Sequence, residues 1–203
     1  MEPTGKLGRV VMIHGVKQKR KDRHALKRFL PAFVRAGFCV LVPKYGFIPA
    51  LLVGVFKWID NRIADSMSEF IRPDDIILGH SNGATLAYLI SQKVKVRGVI
   101  LVNAALGVDK VPNAEFVHVY FNDGDWVAWA SNFLPFHPWG AMGKYGYLGN
   151  DPRVINIDQG NPPLETLPRL NGHSDVFGVG KTVPWTRYMA SLAAFSISQL
   201  PKE

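Results

Sequence analysis

The stretch Asp75-Ile76-Ile77-Leu78-Gly79-His80-Ser81-Asn82-Gly83-Ala84-Thr85-Leu86 decides how this sequence of 203 residues folds. Ile76, Ile77 and Leu78 form an apolar run without alternation, the pattern of a strand covered on both faces, and from Ala84 to Gln92 apolar residues recur at helical spacing. Between the two lies a Gly-x-Ser-x-Gly pentapeptide with Ser81 at its centre. A strand that turns at once into a helix brings its own backbone close on either side of the turn, so Gly79 and Gly83 stand where a side chain would crowd it. The pentapeptide alone occurs by chance in roughly 7 chains in 100 of this length, given ordinary glycine and serine frequencies. Its position between a strand and a helix is what marks Ser81 as more than a serine in a turn.

Outward from this turn, strands and helices alternate. Arg9 to Ile13 reads as a buried strand ending in His14-Gly15 and a basic loop. From Asp22 on, Leu26, Phe29, Leu30, Phe33 and Val34 mark one amphipathic helix that ends near Gly37. Phe38 to Val42 reads as the second strand, with Cys39 as a small core residue, and Trp58, Ile59, Ile63, Met67 and Phe70 set a second helical rhythm. Gly98 to Asn103, Phe116 to Phe121 and Val154 to Ile157 read as strands four to six. Trp126 to Asn150, rich in aromatics and glycine, suits a loop packed by its own side chains. The last helix runs roughly from Trp185 to Leu200, with Tyr188, Leu192, Phe195 and Ile197 on its apolar face. The alternation predicts an α/β fold, a mainly parallel central sheet of about six strands flanked by helices, in a single domain over residues 1–203.

Composition narrows the function. With 47% hydrophobic residues and a mean hydropathy of +0.04 the sequence is that of a globular protein able to bury a large core. One cysteine excludes an internal disulfide. Met1 to Arg9 lacks the apolar stretch of a signal peptide, and the apolar run Phe47 to Phe56 is too short to span a bilayer, so the expected location is the cytoplasm. Most of the net charge of +8 sits in Lys17 to Arg28, where seven Lys or Arg face only Asp22. That run reads first as a solvated helix face, and second as a guide for an anionic substrate or lipid head group, the latter for Lys17, Lys19 and Arg20. No nucleic-acid motif accompanies it. No Cys/His spacing or acidic cluster suggests a metal, and no glycine-rich phosphate loop follows a strand, so neither metal nor cofactor is expected.

In a parallel sheet, ligands gather beyond the carboxyl ends of the strands. The polar groups there are His14-Gly15, Ser81, Asn103, Asp123, Asp125 and, after the sixth strand, His173. A serine hydroxyl becomes a useful nucleophile only with a base in hydrogen-bond reach and a carboxylate to orient that base. Ser81, His173 and one of the two aspartates supply the set in the order Ser, Asp, His. His80 is hemmed in at the turn, His118 lies inside a strand, and His24 is on the basic helix, so these read as structural or solvated.

Over nearly its whole length the chain resembles the α/β-hydrolases. Gly79 to Gly83 is similar to that family's nucleophile elbow and His14-Gly15 to its oxyanion-loop motif. Asn122-Asp123-Gly124-Asp125-Trp126-Val127 is similar to its acid turn, and Gly172-His173 to the Gly-His that delivers the base. The two leading antiparallel strands of larger members are expected to be absent, as in small lipases and cutinases. The resemblance implies a compact α/β-hydrolase fold with Ser81 as nucleophile, His173 as base and Asp125 as acid, Asp123 being the rival. The Val16 and Asn82 N–H groups would form the oxyanion hole, and His14, Gly15, Asn103 and Trp126 would line the substrate. The expected activity is hydrolysis of an ester or thioester with a hydrophobic acyl group, on a small-molecule or lipid-like substrate, an anionic one included. Peripheral membrane contact is compatible with it, and no protein partner is inferred. Phe47 to Ile59 and Trp126 to Tyr147 are candidates for acyl-binding walls or a lid. A non-catalytic binding protein on the same scaffold, and a peptidase or amidase using the same residues, are the rival readings.

Overall fold

The computed structural model describes residues 6–15, 23–43, 57–127 and 140–201. Six strands form one sheet in the order β2-β1-β3-β4-β5-β6: β1 (Arg9–Ile13), β2 (Cys39–Leu41), β3 (Ile76–His80), β4 (Val96–Val102), β5 (Ala114–Phe121) and β6 (Val154–Asp158). Every neighbouring pair is parallel. The helices are α1 (Arg23–Lys27), α2 (Leu30–Arg35), α3 (Lys57–Ser68), α4 (Asn82–Ser91), the single turn α5 (Met142–Tyr145) and α6 (Thr182–Gln199). The chain moves outward from β1 to β2 and then returns past β1 to β3. The strand order therefore reverses between β1 and β3, where an open parallel sheet leaves its crevice. His14-Gly15 and Ser81 follow those two strands.

Alternation along the strands builds two cores. Val10, Met12, Ile76, Leu78, Ile100, Val102 and Tyr120 face one way and pack with Phe29 and Phe33 and with Trp185, Met189 and Ala193 of α6. Val11, Ile13, Ile77, Val99, Leu101 and Val117 face the other way, under Ala64 and Met67 of α3 and Ala84, Ala87 and Ile90 of α4. Burial on both faces explains why β3 reads as an uninterrupted apolar run. Arg9 enters β1 by a bidentate bond to the buried Asp75, with Nε donating to Oδ1 at 2.9 Å and Nη2 to Oδ2 at 2.7 Å, which fixes the start of β1 against the start of β3. Among the described residues no helix is long and apolar enough to cross a membrane.

Several elements differ from the sequence expectation. The amphipathic helix before β2 is two helices, because Pro31 has no N–H to donate to the Lys27 carbonyl and its ring crowds that carbonyl, so the helix restarts at Leu30. The break changes the register, and Val34 is exposed. Helix α6 begins three residues earlier than expected, since Pro184 falls in its first turn, where backbone N–H groups have no intrahelical acceptor. Its inward stripe is Trp185, Met189 and Ala193, and Phe195 points to solvent. Cys39 lies on an edge strand and is only half-buried. On α3 the inward positions are Asp60, Ala64 and Met67, whereas Trp58 is 60% exposed. Much of Phe47 to Ile59 lies outside the described residues.

His118 of β5 is fully buried, and its Nε2 shares a hydrogen bond with the Ser196 hydroxyl of α6 at 2.9 Å. Burial pushes its imidazole down to about 4. An unfolded histidine titrates near 6.5, so between those two pH values the unfolded chain binds a proton that the folded one refuses, and stability falls as pH drops through that window. Urea melts at pH 7.5 and pH 4.5 should therefore show a smaller acid loss for His118→Gln than for the wild type, by on the order of 2 kcal/mol. Equal acid losses would contradict the assignment.

Candidate functional site

At the end of β3 the backbone is under constraint. Ser81 has φ 57° and ψ −125°, a conformation that side chains rarely adopt, and among the described non-glycine residues it shares a positive φ only with Asn103. Its N–H donates to the Val102 carbonyl at 3.1 Å, and its own carbonyl accepts from the Ala84 and Ala105 N–H groups at 3.0 and 3.2 Å. A methyl group on Gly79 would lie 2.6 Å from the Ala84 Cα, and one on Gly83 would overlap the Ile13 carbonyl at the end of β1. A methyl on Gly15 would lie 3.1 Å from the Ser81 Cβ and 3.4 Å from its Oγ, so the loop after β1 passes directly against the serine. Both glycines of the pentapeptide thus answer to backbone approaching backbone.

Three side chains from three strand ends meet at this turn. His173 Nε2 is 2.8 Å from Ser81 Oγ, and His173 Nδ1 is 2.9 Å from both carboxylate oxygens of Asp125. Since a carboxylate only accepts, Nδ1–H donates to Asp125, which leaves the Nε2 lone pair to accept the Ser81 hydroxyl proton. Asp125 is fully buried while the His173 side chain keeps some exposure. Asp123, the rival acid, is exposed.

The surroundings of Asp125 are not legible in the sequence. Asn103, expected among the substrate contacts, is fully buried and its Nδ2 donates to Asp125 Oδ2 at 3.2 Å, so it supports the carboxylate and has no surface for a substrate. Gly143 of α5 lies against the same carboxylate: a methyl there would sit 2.6 Å from Asp125 Oδ2 and 2.8 Å from the Asn103 carbonyl carbon. The Gly143 carbonyl also accepts the Asn122 N–H at 3.0 Å, joining α5 to the end of β5. Nothing in the pattern of the Gly-rich stretch marks this glycine.

Asn82 is the first residue of α4, and the first N–H groups of a helix have no intrahelical acceptor, so this end offers donors and a positive dipole end beside Ser81. The Asn82 side chain turns away, its Nδ2 donating to Asp60 Oδ1 at 3.4 Å. Burial raises the Asp60 carboxyl above its usual range, against the Asn82 hydrogen bond. The i, i+4 spacing of Asp60 with Ala64 is the signal that could have placed it on the inward stripe. His14 is buried and its Nδ1–H donates to the Gly15 carbonyl at 2.8 Å, which shapes the loop beside Ser81. His80 is buried too, and burial, helped by the neighbouring His173, pushes its imidazole down to about 3.

Trp126 follows Asp125 and is 66% exposed. Val16, the second expected oxyanion donor, and the basic residues Lys17, Lys19 and Arg20 lie outside the described residues, as does part of Trp126 to Tyr147. Lys27 is exposed, and Arg28 Nη1 donates to the Phe177 carbonyl at 2.5 Å. Among the described residues, no group of three or more His, Cys, Asp or Glu could hold a metal ion.

No protein-family model matches the sequence, and no curated protein matches it. Solved structures do match the fold. The esterase domain of a Rhodothermus marinus protein has a TM-score of 0.54 at 12% identity, over 97% of this chain and 90% of its own. A candidate hydrolase of the α/β superfamily from Xanthomonas campestris pv. campestris has a TM-score of 0.50 at 15% identity, over 95% and 99%. A variant of a pyrethroid hydrolase has a TM-score of 0.50 at 11% identity, over 91% and 96%. With its parallel sheet, the reversal between β1 and β3 and near-complete coverage of these structures, the chain has the α/β-hydrolase fold.

Proposed function

We propose that the protein is a serine hydrolase that cleaves a carboxylic ester or thioester carrying a hydrophobic acyl group. The observation that carries this reading is the unbroken line of hydrogen bonds from Ser81 Oγ through the His173 ring to Asp125, with Ser81 and His173 partly exposed and Asp125 buried. Ser81 Oγ attacks the acyl carbon as its proton passes to His173 Nε2, and Asp125 stabilises the imidazolium that results. The Asn82 and Val16 N–H groups hold the carbonyl oxygen as it becomes an oxyanion, the step at which preorganised donors contribute most. His173 returns the proton to the departing alcohol or thiol, leaving an acyl-serine. Water then attacks with His173 again as base, which frees the acid and restores Ser81. Exposed Trp126 beside Asp125 supports an apolar acyl or leaving group. The solved structures of similar fold that are named as an esterase domain or as hydrolases support hydrolysis.

Esters of increasing acyl length, a thioester and an amide, assayed side by side, test the reading. Turnover should favour the longer esters over the amide, and both Ser81→Ala and His173→Ala should lose several orders of magnitude in kcat. Asp125→Asn should lose on the order of 10⁴-fold, while Asp123→Asn stays near wild type. Turnover that survives Ser81→Ala, or the reverse ranking of the aspartates, would contradict it.

Gly143→Ala tests the seat of the acid. The methyl group would meet Asp125 Oδ2 and main-chain atoms of Asn103 and Ala104; the main chain cannot swing aside, so the carboxylate must give. It should lower kcat by about 10- to 100-fold through displacement of the carboxylate, with KM near wild type. An unchanged kcat would show that this glycine has no part in placing Asp125.

A further inference from the structure

We infer that His80 is a positioning residue for His173: its ring N–H holds the His173 backbone carbonyl, and thereby keeps that imidazole within reach of the Ser81 hydroxyl. The inference rests on the reading of Ser81 and His173 as nucleophile and base. His173 lies in a turn just before the short 3-10 helix Asp175–Phe177, outside the strands and long helices, so contacts made by this turn and its neighbours set its place. His80 Nε2 lies 3.0 Å from the His173 carbonyl oxygen. A carbonyl only accepts, so the His80 proton is on Nε2. The two rings lie side by side with centroids 5.1 Å apart. The His80 ring also packs nearly perpendicular to that of Phe177, with centroids 4.8 Å apart, and Phe177 packs on Phe29 with centroids 5.3 Å apart. His80 is thus in contact with both the base it holds and a packed aromatic pair.

A histidine suits this place for two reasons. It precedes Ser81 in the chain, so the same strand end that carries the nucleophile also carries a tether of the base, a direct link between the two besides the long path through β6. It is also buried, with an imidazole pushed down to about 3 by that burial and by His173. It therefore stays a neutral donor while His173 gains the Ser81 proton, and does not compete for that proton.

His80→Phe keeps the ring packing and removes the donor, whereas His80→Gln restores an amide N–H near the place of Nε2. On a hydrophobic ester, His80→Phe should lose on the order of 100-fold in kcat, with KM and thermal unfolding close to wild type. His80→Gln should recover most of kcat even where it is less stable. Wild-type kcat in His80→Phe, or equal losses in both variants, would overturn the inference. A wild type that fails to turn over any ester would instead remove the parent reading, and with it the catalytic meaning of the contact. In the wild type, ring 15N shifts at pH 5 should show His80 as the neutral Nε2–H tautomer, and an imidazolium or an Nδ1–H tautomer would contradict the tether whatever the fate of the variants.

Discussion

Backbone pressed against backbone at the end of β3 is the constraint on which the rest of the site depends. Gly83 touches the last carbonyl groups of β1, Gly79 touches the first turn of α4, and Gly15 touches Ser81 itself. Side chains at any of the three would push β1, β3 and α4 apart. With them apart, the left-handed φ of Ser81 would lose the neighbours that hold it. Strain of this kind persists only where the surroundings overdetermine it, and here two apolar cores and the β3–β4 pairing do so.

What the crowding achieves is convergence. Ser81, Asp125 and His173 follow three different strands, β3, β5 and β6, and parallel pairing brings all three ends to one edge of the sheet. Around the buried carboxylate the fold supplies a donor from Asn103, at the end of β4, and a close backbone at Gly143. A buried charge is costly unless it is hydrogen-bonded, so these neighbours matter as much as the carboxylate they serve.

The layout of the fold was legible because parallel strands buried on both faces leave unalternating apolar runs, as in Ile76 to Leu78 and Val99 to Val102. Ser81 and Asp125 were legible because each sits shortly after a buried strand, whereas His173 lies well beyond the end of β6 and was legible from the Gly172-His173 pair and its place between the last strand and the last helix. Asn103, Gly143 and His80 were not legible in their roles, since those depend on contacts between residues distant in sequence that no local pattern records. Asn103 reads from sequence as one more polar group at a strand end, and only the fold turns it inward to Asp125. The two helix errors were of another kind. Pro31 breaks a helix that periodicity continues, and Pro184 is tolerated in a first turn that lies before the expected start at Trp185.

The central claim is that Ser81 is a nucleophile made reactive by the histidine beside it. Treatment with a fluorophosphonate, followed by peptide mass mapping of the wild type and of His173→Ala, tests this without knowledge of the substrate. The account predicts a single adduct on Ser81 in the wild type and a rate of labelling lower by orders of magnitude in the variant. An adduct on another serine, or equal rates in the two proteins, would contradict it.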